Sequence, residues 1–230
     1  MRRFAREQSL SVAFLLLFVA ALVGQAIAGW SEYNNDETAH ALMQDETPET
    51  LSLGRYVTSS NFAQAVTENW QSEYLQFTLF ILLTVWFIQK GSPESKQPGE
   101  EGGESDEQQL VREHAQPDSP KWAKAGGWRL AIYSNSLVTV MVTIWLWSWF
   151  AQSVSGWSEN NAELLEHEQP SLSWFDYLGS ANFWETTLQN WQSEFLAVGS
   201  MAVLSIYLRQ RGSPESKPVG TPHETTAATG

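Results

Sequence analysis

The segment NFAQAVTENWQSEYL, residues 61–75, recurs 121 residues later as NFWETTLQNWQSEFL, residues 182–196, with eight of fifteen positions identical. Self-similarity at a fixed distance marks an internal duplication, and a duplication constrains the architecture before any single element is assigned. Downstream, Gly91-Ser92-Pro93-Glu94-Ser95-Lys96 returns in full as Gly212-Ser213-Pro214-Glu215-Ser216-Lys217. Upstream, Gly29-Trp30-Ser31-Glu32 returns as Gly156-Trp157-Ser158-Glu159, now 127 residues later, and His40 and His167 share that larger offset. The second copy is therefore shorter by about six residues, and the loop after the histidine is the expected place for the difference.

Each copy starts with an apolar run. No charged residue lies between Glu7 and Glu32, and none between Arg129 and Glu159. Runs of 18 or more such residues read as membrane spans, because about 20 residues at 1.5 Å rise cross a ~30 Å hydrocarbon core. Two shorter uncharged runs, Tyr74–Gln89 and Phe195–Leu208, occupy equivalent places in the two copies. The repeat thus predicts spans near 9–28, 72–90, 134–155 and 193–210. Gly91 and Gly212 are expected as helix C′ residues, with Lys90 or Arg211 in the last turn and Pro two residues beyond.

The expected fold class is an all-α integral membrane protein, with four transmembrane helices from two tandem, parallel two-helix repeats. Residues 1–96 form the first hairpin and 128–217 the second. Residues 97–127 read as a flexible acidic cytoplasmic linker and 218–230 as a disordered tail. Residues 97–120 hold no aromatic residue, and such a composition buries too little apolar surface to order itself.

Arg2, Arg3 and Arg6, the apolar run and Ala26-Ile27-Ala28 resemble a secretory signal with its cleavage site. The run is longer than a 7–15-residue signal core, and its internal counterpart lies mid-chain, so it reads as a retained span. Of 13 basic residues, only Arg55 lies in the two loops after the first and third spans, which carry 15 acidic residues through Glu73 and Glu194. By the positive-inside rule both termini are cytoplasmic, in a cell (inner) membrane, and both acidic loops are outside. The hairpins then point the same way, as parallel repeats do. The formal charge of −13 argues against nucleic acid, which needs a basic patch. With no cysteine there is no disulfide, thiolate metal site or cysteine nucleophile. Twelve tryptophans, several at the outer ends of the spans, fit an aromatic belt at headgroup level.

The N-terminal Arg-Arg, the Gly-Gln-x-x-x-Gly-Trp at Gly24 to Trp30, Asn-Trp-Gln-Ser-Glu-Tyr/Phe-Leu, and Gln210 to Pro218 occur in one order over nearly the whole chain outside the linker and tail. In these motifs the chain resembles a family of small prokaryotic multi-pass membrane proteins catalogued only as a domain of unknown function. The resemblance implies a membrane protein and transfers no catalytic residue.

Phe62, Val66, Trp70 and Tyr74 recur every four residues, as do Phe183, Thr187, Trp191 and Phe195, so each second helix is expected to begin near Asn61 or Asn182. Asn69 and Glu73 then share a face, as do Asn190 and Glu194. Glu73 lies 17 residues before Lys90, roughly 25 Å along a helix, near the outer edge of the core. Ionisable residues at that depth mark pathways or polar packing, and these four are the leading site candidates. His40, His167, Glu32 and Glu159 form a second, external candidate, without tight metal-ligand spacing. Ala20, Gly24 and Ala28 form a small-residue face for helix approach.

There is no phosphate loop, nucleophile elbow, zinc motif or dinucleotide fingerprint. No catalytic residue, metal or cofactor is expected, and the chain reads as a non-enzymatic envelope or interaction component. The alternative is a small ion or proton channel or transporter using the duplicated Asn–Glu pairs. Expected partners are the lipid bilayer and either a further copy, in a homo-oligomer, or another membrane protein.

Overall fold

The computed structural model describes residues 6–228; Arg2 and Arg3 of the basic N-terminus lie outside the described residues. Among the described residues there are seven α-helices, one short 3-10 helix and no strand. In chain order the α-helices are α1 (Ser9–Gln44), α2 (Leu53–Tyr56), α3 (Ser60–Trp86), α4 (Trp128–Ser134), α5 (Ser136–Glu166), α6 (Trp174–Leu178) and α7 (Ala181–Tyr207). The 3-10 turn, Arg112–His114, lies between α3 and α4. Two helices, α1 and α5, are long and apolar enough to cross a membrane by length and composition. The expected spans near 9–28 and 134–155 fall on these two, and those near 72–90 and 193–210 fall on α3 and α7.

The chain divides into two compact units, Met1–Val66 with Ala151–Trp174, and Thr67–Phe150 with Phe175–Gly230. In the first unit each long helix is followed by a return segment held by the same bonds. Trp30 Nε1 and Asn34 Nδ2 donate to the Leu51 carbonyl at 2.6 and 2.9 Å, and Leu51 N–H donates to Asn34 Oδ1 at 2.7 Å. In the second copy Trp157 Nε1, Asn161 Nδ2 and Leu172 repeat these three bonds at 2.8, 3.0 and 2.8 Å. Both helices stop on a left-handed residue, Asp45 (φ 57°) and Glu168 (φ 56°), with the next N–H bonded back five residues, Glu46 to Ala41 and Gln169 to Leu164. That is the Schellman ending.

The six-residue length difference is therefore mostly helical. From the asparagine to the left-handed residue there are 11 residues in the first copy (34 to 45) and 7 in the second (161 to 168). From there to the clasped leucine there are 6 (45 to 51) and 4 (168 to 172). Four extra residues are about one helical turn, which keeps the helix face in phase, so the helix absorbs what was expected of the loop.

In the second unit, α3 and α7 end earlier than expected. The Gly-Ser-Pro glycines are not C′ residues: α3 stops at Trp86 and α7 at Tyr207. A short extended stretch follows, and Gly91 and Gly212 then adopt φ +89° and +83° inside a turn that its own serines build. Ser95 Oγ accepts from Gln89 N–H at 2.9 Å and Ser216 Oγ from Gln210 N–H at 2.9 Å. Ser92 Oγ accepts from Glu94 N–H and Ser213 Oγ from Glu215 N–H. Serine competes for backbone groups in this way, which draws the stop upstream of the glycine.

Within residues 97–127, Gly102 returns to the end of α3. Gly102 N–H donates to the Val85 carbonyl at 2.8 Å, and Lys96 Nζ bonds the Gly102 carbonyl at 2.9 Å. Residues 218–228, expected from composition to be flexible, carry bonds of their own, set out below. Gly102 and Ala227 bond the rest of the unit through their amides, and Glu104, Glu224 and Thr226 through side chains.

Candidate functional site

The repeated Asn-Trp-Gln-Ser-Glu motif places a polar ladder between α3 and α7. Trp191 Nε1 donates to Gln71 Oε1 at 2.7 Å, and Asn190 Nδ2 donates to Glu68 Oε1 at 2.8 Å and to the Thr186 carbonyl at 2.9 Å. Gln71 is fully buried, as are Ser148 and Thr187. Around the ladder lies an aromatic cluster. The Trp149 ring centroid is 5.5 Å from Trp191 and 6.2 Å from Phe183, and Tyr177 meets Phe183 edge-on at 5.6 Å. Burial raises the Glu68 carboxyl above its ordinary value, and the Asn190 amide offsets this in part. Burial, then the Glu68 charge, pushes the Tyr177 phenol up to about 12.

The four leading sequence candidates separate. Asn190 enters the ladder, but its partner is Glu68 and not Glu194. Asn69 and Glu73 are exposed. Glu194 is half-buried. Glu68, Gln71 and Trp191 were missed as a group. Gln71 and Trp191 belong to the repeated motif, yet they come from different copies and different motif positions, so no comparison of equivalent residues pairs them.

The external candidates separate as well. His40 Nδ1 meets Glu166 Oε1 at 3.1 Å with both side chains exposed. The pair borders a cleft of about 520 Å³ lined by Glu37, Glu46 and Glu49. Glu159 instead accepts from Asn61 Nδ2 at 3.4 Å. Its charge is a secondary cause, after burial, of the raised phenol pKa at Tyr56; at Tyr33 it follows burial and Glu37. Glu32 and His167 are exposed. No group able to hold a metal ion occurs among the described residues. Tyr56 also explains the glycine of Gly-Trp: its hydroxyl occupies the space that a Cβ on Gly29 would need.

A second constellation, absent from the sequence candidates, lies at the Gly-Ser-Pro loops. Lys217 is 1% exposed. Its Nζ donates to the carbonyls of Gly91 at 2.6 Å, His223 at 2.8 Å and Thr225 at 3.2 Å. Burial, then the Arg209 charge, lowers its pKa. A hydrogen bond with Glu215, then burial, raises the Glu94 carboxyl to about 7. The signal available in the sequence was the exact repetition of the six residues.

A family model described as a domain of unknown function, DUF6766, matches residues 1–228. No curated protein and no solved structure matches the chain.

Proposed function

We propose that this chain, which belongs to the DUF6766 family of unknown function, is a multi-pass membrane protein with a non-enzymatic envelope or interaction role. The observation that carries the reading is inverted burial. On α5 the buried side chains are Ser148, Gln152, Ser153 and Ser155, while Leu146, Trp147, Phe150 and Val154 are exposed. On α3, four of the five buried residues are polar, Thr67, Gln71, Ser72 and Thr78 beside Leu75, while Phe77, Leu82, Leu83 and Trp86 are exposed. α1 exposes Leu10, Phe14, Leu15, Leu16 and Leu17. In water such surfaces aggregate. In lipid, apolar side chains face the tails and small or hydroxylated ones pack between helices. The polar ladder acts there as packing, since a buried hydrogen-bonded pair joins helices without needing a hydrophobic drive.

The reading has four spans, with α3 and α7 completing the hairpins and both termini cytoplasmic. Single cysteines at Ser52 and Ser171 of the cysteine-free chain are expected to react with an impermeant maleimide on intact cells or spheroplasts, and one at Ser105 is not. Labelling at Ser105 but not at Ser52 reverses the orientation. Labelling of a soluble fraction at all three removes the membrane reading.

The duplicated Asn69–Glu73 and Asn190–Glu194 pairs favour a second reading, a small cation or proton pathway. On that reading, Glu73→Gln with Glu194→Gln abolishes flux in proteoliposomes at unchanged folded yield. Wild-type liposomes without flux above empty controls eliminate it.

A further inference from the structure

The two Gly-Ser-Pro-Glu-Ser-Lys loops share their serine-to-backbone bonds. The Ser-Lys end of the second is buried, with Lys217 bonded to the Gly91, His223 and Thr225 carbonyls. The Gly-Ser-Pro face, however, is covered in the first loop and open in the second. Over the first loop lie residues of the chain's own tail. Gly91 N–H donates to Thr226 Oγ1 at 2.9 Å, and Ala227 N–H donates to the Ser92 carbonyl at 3.1 Å. Lys90 Nζ meets Glu224 Oε2 at 3.0 Å. Gly91, Ser92 and Pro93 are all buried.

At the second loop, Gly212 has nearly the same φ, Gly212 and Pro214 are exposed, and a Cβ on Gly212 meets nothing within 4 Å. Arg211 stands where Lys90 stands in the first copy. A groove of about 340 Å³ is bounded here by Gln210, Arg211, Gly212, Ser213 and Val219, with Pro218 and the buried Lys217 also in its wall.

We propose that this second loop is a docking groove for an extended segment of another protein reading acid–x–Thr–small, the chemistry with which residues 224–227 cover the first loop. The hydroxyl accepts from Gly212 N–H, the next amide donates to the Ser213 carbonyl, and the acid faces Arg211. The side chains of Glu224 and Thr226 and the Ala227 amide are engaged at the first loop, and the tail reaches the second loop only through carbonyls bonded to Lys217. A second copy's tail would uncover that copy's first loop, exchanging like contacts for like while association entropy still opposes binding. The inference is independent of the membrane reading.

The test titrates the solubilised full-length chain with a synthetic peptide of residues 223–230, followed by calorimetry. One equivalent is expected to bind. The peptide with Thr226→Val is expected to bind about tenfold more weakly, the effect of one lost hydrogen bond. Arg211→Glu in the protein weakens binding about two- to fivefold, as an exposed ion pair does, whereas Lys90→Glu leaves it unchanged. Absence of binding overturns the proposal. So does sensitivity to Lys90→Glu without sensitivity to Arg211→Glu, because the peptide would then be displacing the tail from the first loop. A tail-dependent dimer of the wild-type chain without peptide uptake also overturns it, by filling the groove with a second copy.

Discussion

The two return clasps of the first unit and the two Gly-Ser-Pro loops of the second are both duplicated, but only the clasps repeat the same partners in both copies. At the clasps the same tryptophan, asparagine and leucine groups meet across 17 residues in one copy and 11 in the other. At the loops the serine-to-backbone bonds repeat, while the tail covers the glycine and proline of the first loop and leaves those of the second exposed. A motif that satisfies its own backbone survives duplication intact. What covers that motif depends on where the rest of the chain goes.

The largest expected effect tests the loops. Gly91→Ala pays left-handed strain and also meets the His223 backbone oxygen 2.6 Å from its new Cβ. A cost of about 3 kcal/mol is expected, against about 1 kcal/mol for Gly212→Ala, which pays strain alone. Chemical unfolding in detergent measures both, and equal costs would remove the asymmetry.

The clasps are expected to respond alike. Asn34→Ala and Asn161→Ala each break two bonds to one leucine backbone, for about 2 kcal/mol apiece. A difference in unfolding free energy larger than about 0.5 kcal/mol between the two variants would break the equivalence.

The ladder gives the next contrast. Gln71→Leu leaves the Trp191 indole N–H without its acceptor, costing about 1–2 kcal/mol. Gln192→Leu, at the matching motif position but exposed, stays within about 0.5 kcal/mol. Comparable midpoint shifts for the two variants would show that the ladder contributes nothing.

The smallest effect is in pH. The Glu94 pKa is raised from 4.5 to about 7 in the folded chain, so the folded state holds this proton more tightly than the unfolded one. Stability from this group is full below about pH 4.5, falls as pH rises to about 7, and is flat above. Glu94 is only half-buried, so screening keeps the change under about 1 kcal/mol. Glu215→Gln is expected to flatten the slope in melting curves taken across that range; an undiminished slope would assign it to other groups.

The duplication itself, the helical class, the two long apolar helices and the starts of α3 and α7 near Asn61 and Asn182 were legible in the residues, because repeated motifs and the period of a helix are local properties. The extra helical turn before Asp45 was not, since length comparison cannot say whether an insertion joins a helix or a loop. Nor was the early end of α3 and α7: Gly91 and Gly212 read as stops until Ser95 and Ser216 were seen to hold the backbone two residues upstream of each glycine. The site was least legible. Asn190 was visible as a motif residue, but Glu68, Gln71 and Trp191 join it only because α3 and α7 bring unlike positions of the two copies into register. Lys217 looked like one more terminal cation. Its burial under Gly91, His223 and Thr225 is a tertiary fact, since a carbonyl acceptor carries no side-chain signature and every residue in the chain has one.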